Sequence, residues 1–159
     1  MSRITPCLWF DTKAEDAARF YVSVFPNSEI LDVSHYGEAG PRPAGSVMTV
    51  RFSVDGTEFI ALNAGPEFTF DEAVSFQVPC DDQAEIDRLW SALSEGGEEG
   101  PCGWVRDKYG LWWQVFPRRL PELLVDPDPE RSRRAMEAMQ TMRKIDLVAI
   151  ERAVAGAGV

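Results

Sequence analysis

The chain has 159 residues, 45% hydrophobic and 26% charged, enough to bury a core as one domain or as two small fused modules without disulfides. A formal net charge of −10 argues against a nucleic-acid partner, and no apolar run is long enough to span a bilayer. The opening residues Met1-Ser2-Arg3-Ile4-Thr5-Pro6 lack an apolar signal-peptide core, so the expected location is the cytoplasm.

Ile4 to Asp11 reads as a strand. Thr12-Lys13-Ala14-Glu15 has capping-box spacing, with Thr12 as the expected helix cap, and Ala14, Ala17, Ala18, Tyr21, Val22 and Phe25 follow in one helical stripe ended by Pro26-Asn27. Ile30 to Tyr36 is a strand, and Gly37 to Gly45 is a loop rich in glycine and proline. Val47 to Val54 and Thr57 to Asn63 flank Asp55-Gly56, a two-residue hairpin turn. The pattern then begins again. Val74 to Cys80 alternates as a strand, Asp82-Gln83-Ala84-Glu85 is a second capping box, and Ile86, Leu89, Trp90 and Leu93 form a second helical stripe ended by Gly96-Gly97. A short segment from Gly103 to Arg106 and a strand from Leu111 to Phe116 flank a turn at Asp107 to Gly110.

Asp11 and Asp81, like Glu15 and Glu85, stand 70 residues apart in the same context, which indicates a duplicated module rather than a solenoid. The expected fold class is α+β: two tandem βαβββ modules, residues 1–66 and 67–120, forming a cupped mixed sheet, plus a helical tail over 121–159. In the tail, Asp128 and Pro129 suit N-cap and N1 of a helix reaching about Lys144. A second helix is expected from Asp146 to Val154, with Gly156 to Val159 fraying. Met136, Met139, Met142 and Ile145 make an apolar stripe that needs a surface to cover. We take that surface to be a second copy, giving a homodimer, with Arg131, Arg133, Arg134, Arg143 and Lys144 able to pair with its acidic groups. Packing of the tail on its own chain is the competing reading.

Three cysteines without a CxxC pair imply neither a disulfide framework nor a zinc knuckle. Cys7 and Cys80, in apolar runs, read as inert core thiols, and Cys102, between Pro101 and Gly103, reads as the reachable one.

Pro6-Cys7-Leu8-Trp9-Phe10, Ala14-Glu15 and Phe20-Tyr21 resemble the opening of vicinal oxygen chelate (glyoxalase/bleomycin-resistance) proteins. Leu62-Asn63, Ser75-Phe76-Gln77-Val78, Cys102-Gly103-Trp104 and Asp107-Lys108-Tyr109-Gly110-Leu111-Trp112-Trp113-Gln114-Val115 resemble more narrowly its PhnB-like branch, labelled "3-demethylubiquinone-9 3-methyltransferase domain". The resemblance extends over nearly the whole chain, the Met-rich tail included. It implies two βαβββ modules around a cupped site, with metal ligands drawn from the first, fourth, fifth and eighth strands. Those positions fall on Pro6, within Ile60 to Asn63, on Ser75 and on Gln114, and none is His or a carboxylate. The expectation is therefore no metal and no cofactor, with the lone His35 an ordinary strand or loop histidine.

Strand alternation turns Val74, Phe76 and Val78, and likewise Met48, Val50, Phe52 and Val54, toward the helices. The opposite faces then carry Arg51, Ser75, Gln77, Trp112 and Gln114, the expected ligand-binding set for a small planar or acidic molecule. Three readings stay open. One is a metal-independent small-molecule-binding protein, which fits best. The second is an isomerase- or lyase-like enzyme with a non-standard site, and the third is an interaction module with a vestigial cup. Methyltransferase activity is not expected, because no Gly-rich loop follows a first parallel strand.

Overall fold

The two apolar helical stripes supply the faces on which the fold is built. A computed structural model describes residues 2–156, and the chain divides into two compact units, Met1–Phe70 and Asp71–Val159. The fraying expected beyond Gly156 lies outside the described residues.

The first unit runs β1 (Cys7–Phe10), α1 (Ala14–Val24), β2 (Glu29–His35), β3 (Val47–Val54) and β4 (Thr57–Asn63). Its strands form one mixed sheet in the order β1-β4-β3-β2, with β1 parallel to β4. Helix α1 buries Ala14, Ala17, Ala18 and Tyr21 against the sheet face of Val50, Phe52, Phe59 and Ala61. The three alanines have no side chain beyond Cβ, so the helix settles close to the strands. Asp55 and Gly56 both take positive φ, as a tight right-twisting hairpin requires.

The cap of α1 corrects the sequence reading. The helix begins after Lys13, whose φ of −104° and ψ of 16° are not extended, and no local side chain caps it. Instead the Ala14 N–H donates to Asn63 Oδ1 at 2.8 Å, 49 residues away. The Asn63 amide in turn donates to the Val47 carbonyl, and the Tyr36 hydroxyl donates to the Asn63 carbonyl. One buried asparagine thus ties α1, β3 and the end of β4. In the second unit the expected capping box does form: Asp82 accepts from Glu85 N–H, and Glu85 reaches back to Asp81 N–H.

That second unit runs β5 (Ser75–Cys80), α2 (Gln83–Ser94), β6 (Glu98–Glu99), β7 (Trp104–Arg106) and β8 (Trp112–Pro117), in the sheet order β5-β8-β7-β6 with β5 parallel to β8. It continues into α3 (Leu120–Leu124), α4 (Pro129–Gln140) and α5 (Leu147–Val154). The middle strand that the second βαβββ module requires has only two residues, too few for alternation to place it, and α3, little more than one turn, escapes a reading of the sequence.

The tail stays with its own chain. Leu120, Leu123, Ala135, Ile145, Ile150 and Val154 make one buried cluster, against which Phe116, Met139, Met142 and Leu147 pack. Helix α4 ends at Gln140, four residues before the expected Lys144. Past that end the backbone is strapped to the 101–103 turn, with Cys102 N–H donating to the Met142 carbonyl and Gly103 N–H to that of Arg143. The Gln83 side chain brackets the same segment, donating to the Ile145 carbonyl and accepting from Leu147 N–H. Gly103 has φ of +83°, and a Cβ there would lie 2.6 Å from the Val115 carbonyl oxygen and 3.1 Å from Ile145. The arginines expected to meet a second copy are engaged at home: Arg131 with Asp126, Arg133 with Glu130 and Glu137, Arg134 with Glu130, and Arg143 with the Glu99 carbonyl, while Lys144 meets Asp87. Of the apolar stripe that motivated the homodimer, Met139, Met142 and Ile145 are thus covered within the second unit, while Met136 stays 37% exposed on α4.

Asn63→Ala removes the α1 cap and the partner of the Val47 carbonyl, and should cost about 2–3 kcal/mol of unfolding free energy in urea titrations. Thr12→Ala should stay within about 0.5 kcal/mol of the parent. A larger loss from Thr12 than from Asn63 would restore the local cap.

Candidate functional site

Parallel pairing of β5 with β8 places Ser75 beside Trp112, Gln77 beside Gln114 and Pro79 beside Phe116. Alternation then divides the sheet. Cys80, Trp113 and Val115 are buried on the α2 side, while Ser75, Gln77, Trp112, Gln114 and Phe116 share the other face with Trp104 of β7. Gln114 Nε2 donates to Ser75 Oγ at 2.8 Å, joining the two positions that the sequence resemblance assigns to metal ligands in this unit.

On this face β5, β7 and β8 meet α3 and α4 along an open cleft of about 320 Å³. Its floor is Gln77, Trp104, Gln114 and Phe116, with Cys102 at the side. Its other wall is Leu120 with the tail residues Pro121, Leu124 and Met139, none of which sequence reasoning selected as ligand contacts. Their only signals were the Leu120, Leu123 and Leu124 spacing and the methionine stripe, both legible as ordinary packing. Of the expected ligand set, Gln77 and Gln114 line the cavity directly, and Ser75 reaches it through Gln114. Trp112, buried, meets Trp104 edge-on at 6.3 Å between ring centroids.

Arg51 belongs to the first unit. Opposite Ile60 and Asp32 in register, it stands on the sheet face away from α1, as alternation predicts. Its guanidinium is engaged by Glu58, with Nε at 3.1 Å and Nη2 at 3.0 Å from the same carboxylate oxygen. His35 is exposed at the end of β2.

The Asp107-to-Gly110 motif is a structural clamp. Asp107 is 1% exposed, and its carboxylate accepts from Tyr109 N–H, Leu111 N–H and Trp113 Nε1. It shapes the turn into β8 and pins the indole that packs beneath the sheet, which fixes the register of Gln114 one residue later.

A second cavity, about 350 Å³, lies in the first unit where the 37–45 loop folds toward the start of α1. Its carboxylates are already neutralised: Asp11 pairs with Arg42, Asp16 with Lys13 and Glu15 with Arg19.

The sequence resemblance implies a divalent metal at the strand positions already named, and the donors there do not fit one. Ser75 and Gln114 offer a neutral hydroxyl and an amide, already bonded to each other, and Pro6 offers no side-chain donor. Among the described residues, no group of three or more His, Cys, Asp or Glu is placed to hold a metal ion. Among the described residues, no helix is long and apolar enough to cross a membrane.

The cysteines sort differently from the sequence reading. Cys80 is wholly buried, but Cys7 is exposed on β1, and Cys102 is half-buried at the cavity. Burial, with help from the charges of Glu85 and Asp81, pushes the Cys80 thiol from 9.0 up to about 12.

Residues 2–116 match the family described as 3-demethylubiquinone-9 3-methyltransferase, so the tail lies outside the match, contrary to the broader resemblance expected. No curated protein matches the chain. Among solved structures, the PhnB protein of Bacillus cereus, which carries the same methyltransferase description, is 36% identical over 72% of this chain and 99% of its own, with a TM-score of 0.65. Protein PA1353 of Pseudomonas aeruginosa is 22% identical over 74% of this chain and 98% of its own, at 0.60. The fosfomycin resistance protein FosX of Mesorhizobium loti shares the fold at 14% identity, covering 74% and 93%, at 0.50.

Thiol counting with a disulfide reagent at pH 8 should modify Cys7 readily and leave Cys80 intact in the native protein, with all three thiols reacting in guanidinium. Because the folded Cys80 keeps its proton above the pH at which the unfolded thiol ionises, stability should fall as pH rises from 9.0 towards about 12. Native-state labelling of Cys80 as fast as Cys7 would contradict this burial.

Proposed function

This chain belongs to the 3-demethylubiquinone-9 3-methyltransferase (PhnB-like) family of the vicinal oxygen chelate superfamily, and from that premise we propose that it is a metal-independent binding protein for a small organic molecule, held in the cavity between the second unit's sheet and its tail. The observation that carries this reading is the Gln114–Ser75 hydrogen bond. At two positions where a metal enzyme of this fold needs strong donors, this chain has neutral groups that satisfy each other and face a cavity of about 320 Å³, at the lower end of the roughly 300–1,000 Å³ usual for ligand sites.

Two other readings have less behind them. An enzyme would need a nucleophile with a base in reach, and the lining offers Cys102 as its one titratable side chain. Methyl transfer in the sense of the family label would need a site for the donor's nucleoside, and the turn after β1, Asp11-Thr12-Lys13, has no glycine to bring backbone close to such a group. Arg51 lies in the first unit, where it pairs with Glu58 at the surface, and the second unit's cavity holds its ligand without it. Nor does this site call for a second copy of the chain. Cytoplasmic residence remains part of the reading.

Elemental analysis of protein purified without chelator should find no stoichiometric nickel, zinc, manganese or iron. A screen of small organic fragments by ligand-observed NMR should find binders whose signal survives EDTA and weakens by up to about tenfold in Gln114→Ala, the scale of one hydrogen bond. One tightly held metal ion per chain, or binders indifferent to Gln114, would overturn the reading.

A further inference from the structure

We infer that the tail, which lies outside the family match, makes the second unit's cavity selective for an uncharged, flat heteroaromatic ring that carries an adjacent hydrogen-bond donor and acceptor, as a lactam does. The inference rests on the proposed binding function and adds the class of ligand and the residues that select it.

Three observations carry it. The first is charge. No Asp, Glu, Lys, Arg or His lines this cavity, although the chain as a whole carries a formal net charge of −10. A charged ligand seated in this open cleft would give up part of its water without meeting a counter-charge, so a neutral ligand is favoured. The second is shape. Trp104 and Phe116 on the sheet and Leu124 and Met139 on the tail all line it, offering flat and pliable apolar surfaces. A planar ring suits such a lining, and the methionine thioether adapts to an aromatic edge. The third is hydrogen-bonding capacity. Gln77 and Gln114 are neighbours across the parallel ladder. Gln114 uses its amide nitrogen on Ser75 and keeps its carbonyl oxygen, while among the described residues the Gln77 amide makes no hydrogen bond. A primary amide offers a donor and an acceptor side by side, and an N–H adjacent to a C=O on a ring pairs with both at once.

The tail is held well enough to act as a wall. The Cys102 and Gly103 N–H bonds to Met142 and Arg143, the Gln83 bracket and wholly buried Ile145 anchor the chain just past α4, and the Ser132 hydroxyl donates to the Leu124 carbonyl at its start. Both tail residues named above therefore keep fixed places over the sheet.

The test uses the full chain and a matched pair of probes, 2-quinolinone and quinoline-2-carboxylate, titrated by calorimetry and by tryptophan fluorescence. The neutral lactam should bind at least about tenfold more tightly than the carboxylate, since only the carboxylate brings an unpaired charge. Leu124→Trp and Met139→Trp, each checked for an unchanged circular dichroism spectrum, should fill the cavity and abolish lactam binding. Gln77 is exposed on β5, so Gln77→Leu spares the core; it should weaken the lactam while leaving plain quinoline unchanged. Equal or tighter binding of the carboxylate, or no binding of the lactam while other fragments still depend on Gln114, overturns the ligand class and leaves the binding function standing. Lactam binding that ignores both tryptophan variants overturns the tail wall. Failure of every fragment to depend on Gln114 removes the binding function itself, and this inference with it.

Discussion

In each module the first and last strands lie side by side and run the same way, although some fifty or forty residues separate them. A parallel pair cannot be closed by a hairpin, so the intervening chain must cross over, and here a helix makes that crossing on one face of the sheet. Everything else follows from which face it takes. Once α1 and α2 cover Val50, Phe52 and Ala61 in one unit and Cys80, Trp113 and Val115 in the other, the alternate residues are committed to the opposite side. The pairing of Gln77 with Gln114, and of Ser75 with Trp112, is then a matter of ladder register alone. Asp107 holds that register by gripping the turn before β8 and the indole of Trp113. The polar strip on the open face is in this sense a product of the buried one.

The two modules show how one pattern can be stabilised in two ways. Asp82 and Glu85 cap α2 through bonds that span three or four residues, so the capping box in the sequence is also the cap in the structure. Thr12 and Glu15 repeat the spacing, yet α1 starts one residue later in the repeat, Glu15 turns to Arg19, and the cap arrives from Asn63. A local motif reveals a helix start reliably because the helix itself is local. It cannot reveal that a strand end folded alongside offers a better-placed oxygen.

The same distinction separates what was legible at the site from what was not. Period-two alternation brings out Arg51, Ser75, Gln77, Trp112 and Gln114 as residues turned away from the helices, because a strand's geometry is written in consecutive residues. The other wall of the cavity depends on how α3 and α4 fold back, and Leu124 and Met139 have the chemistry of any packed side chain. The methionine stripe was real as an amphipathic face. What it covered could not be read from the stripe, since an apolar face is equally content with its own sheet or another chain. Likewise Cys7 looked buried in an apolar run, but a strand turns alternate residues outward whatever their neighbours are.

The strap at Met142 to Leu147 also bears on the order in which the molecule can be made. The first unit closes its contacts within the first 70 residues. It has all its strands and its helix soon after they leave the ribosome, and domains commonly fold as units as synthesis proceeds. The second unit has no such early completion. Ile145, Ile150 and Val154 belong to the same buried cluster as Leu120 and Leu123, so a nascent chain ending shortly after β8 would present Phe116, Leu120 and Leu123 to water with nothing to cover them. Its core is finished only when the last helix emerges, and until then the newly made half offers chaperones an apolar surface that the finished protein conceals.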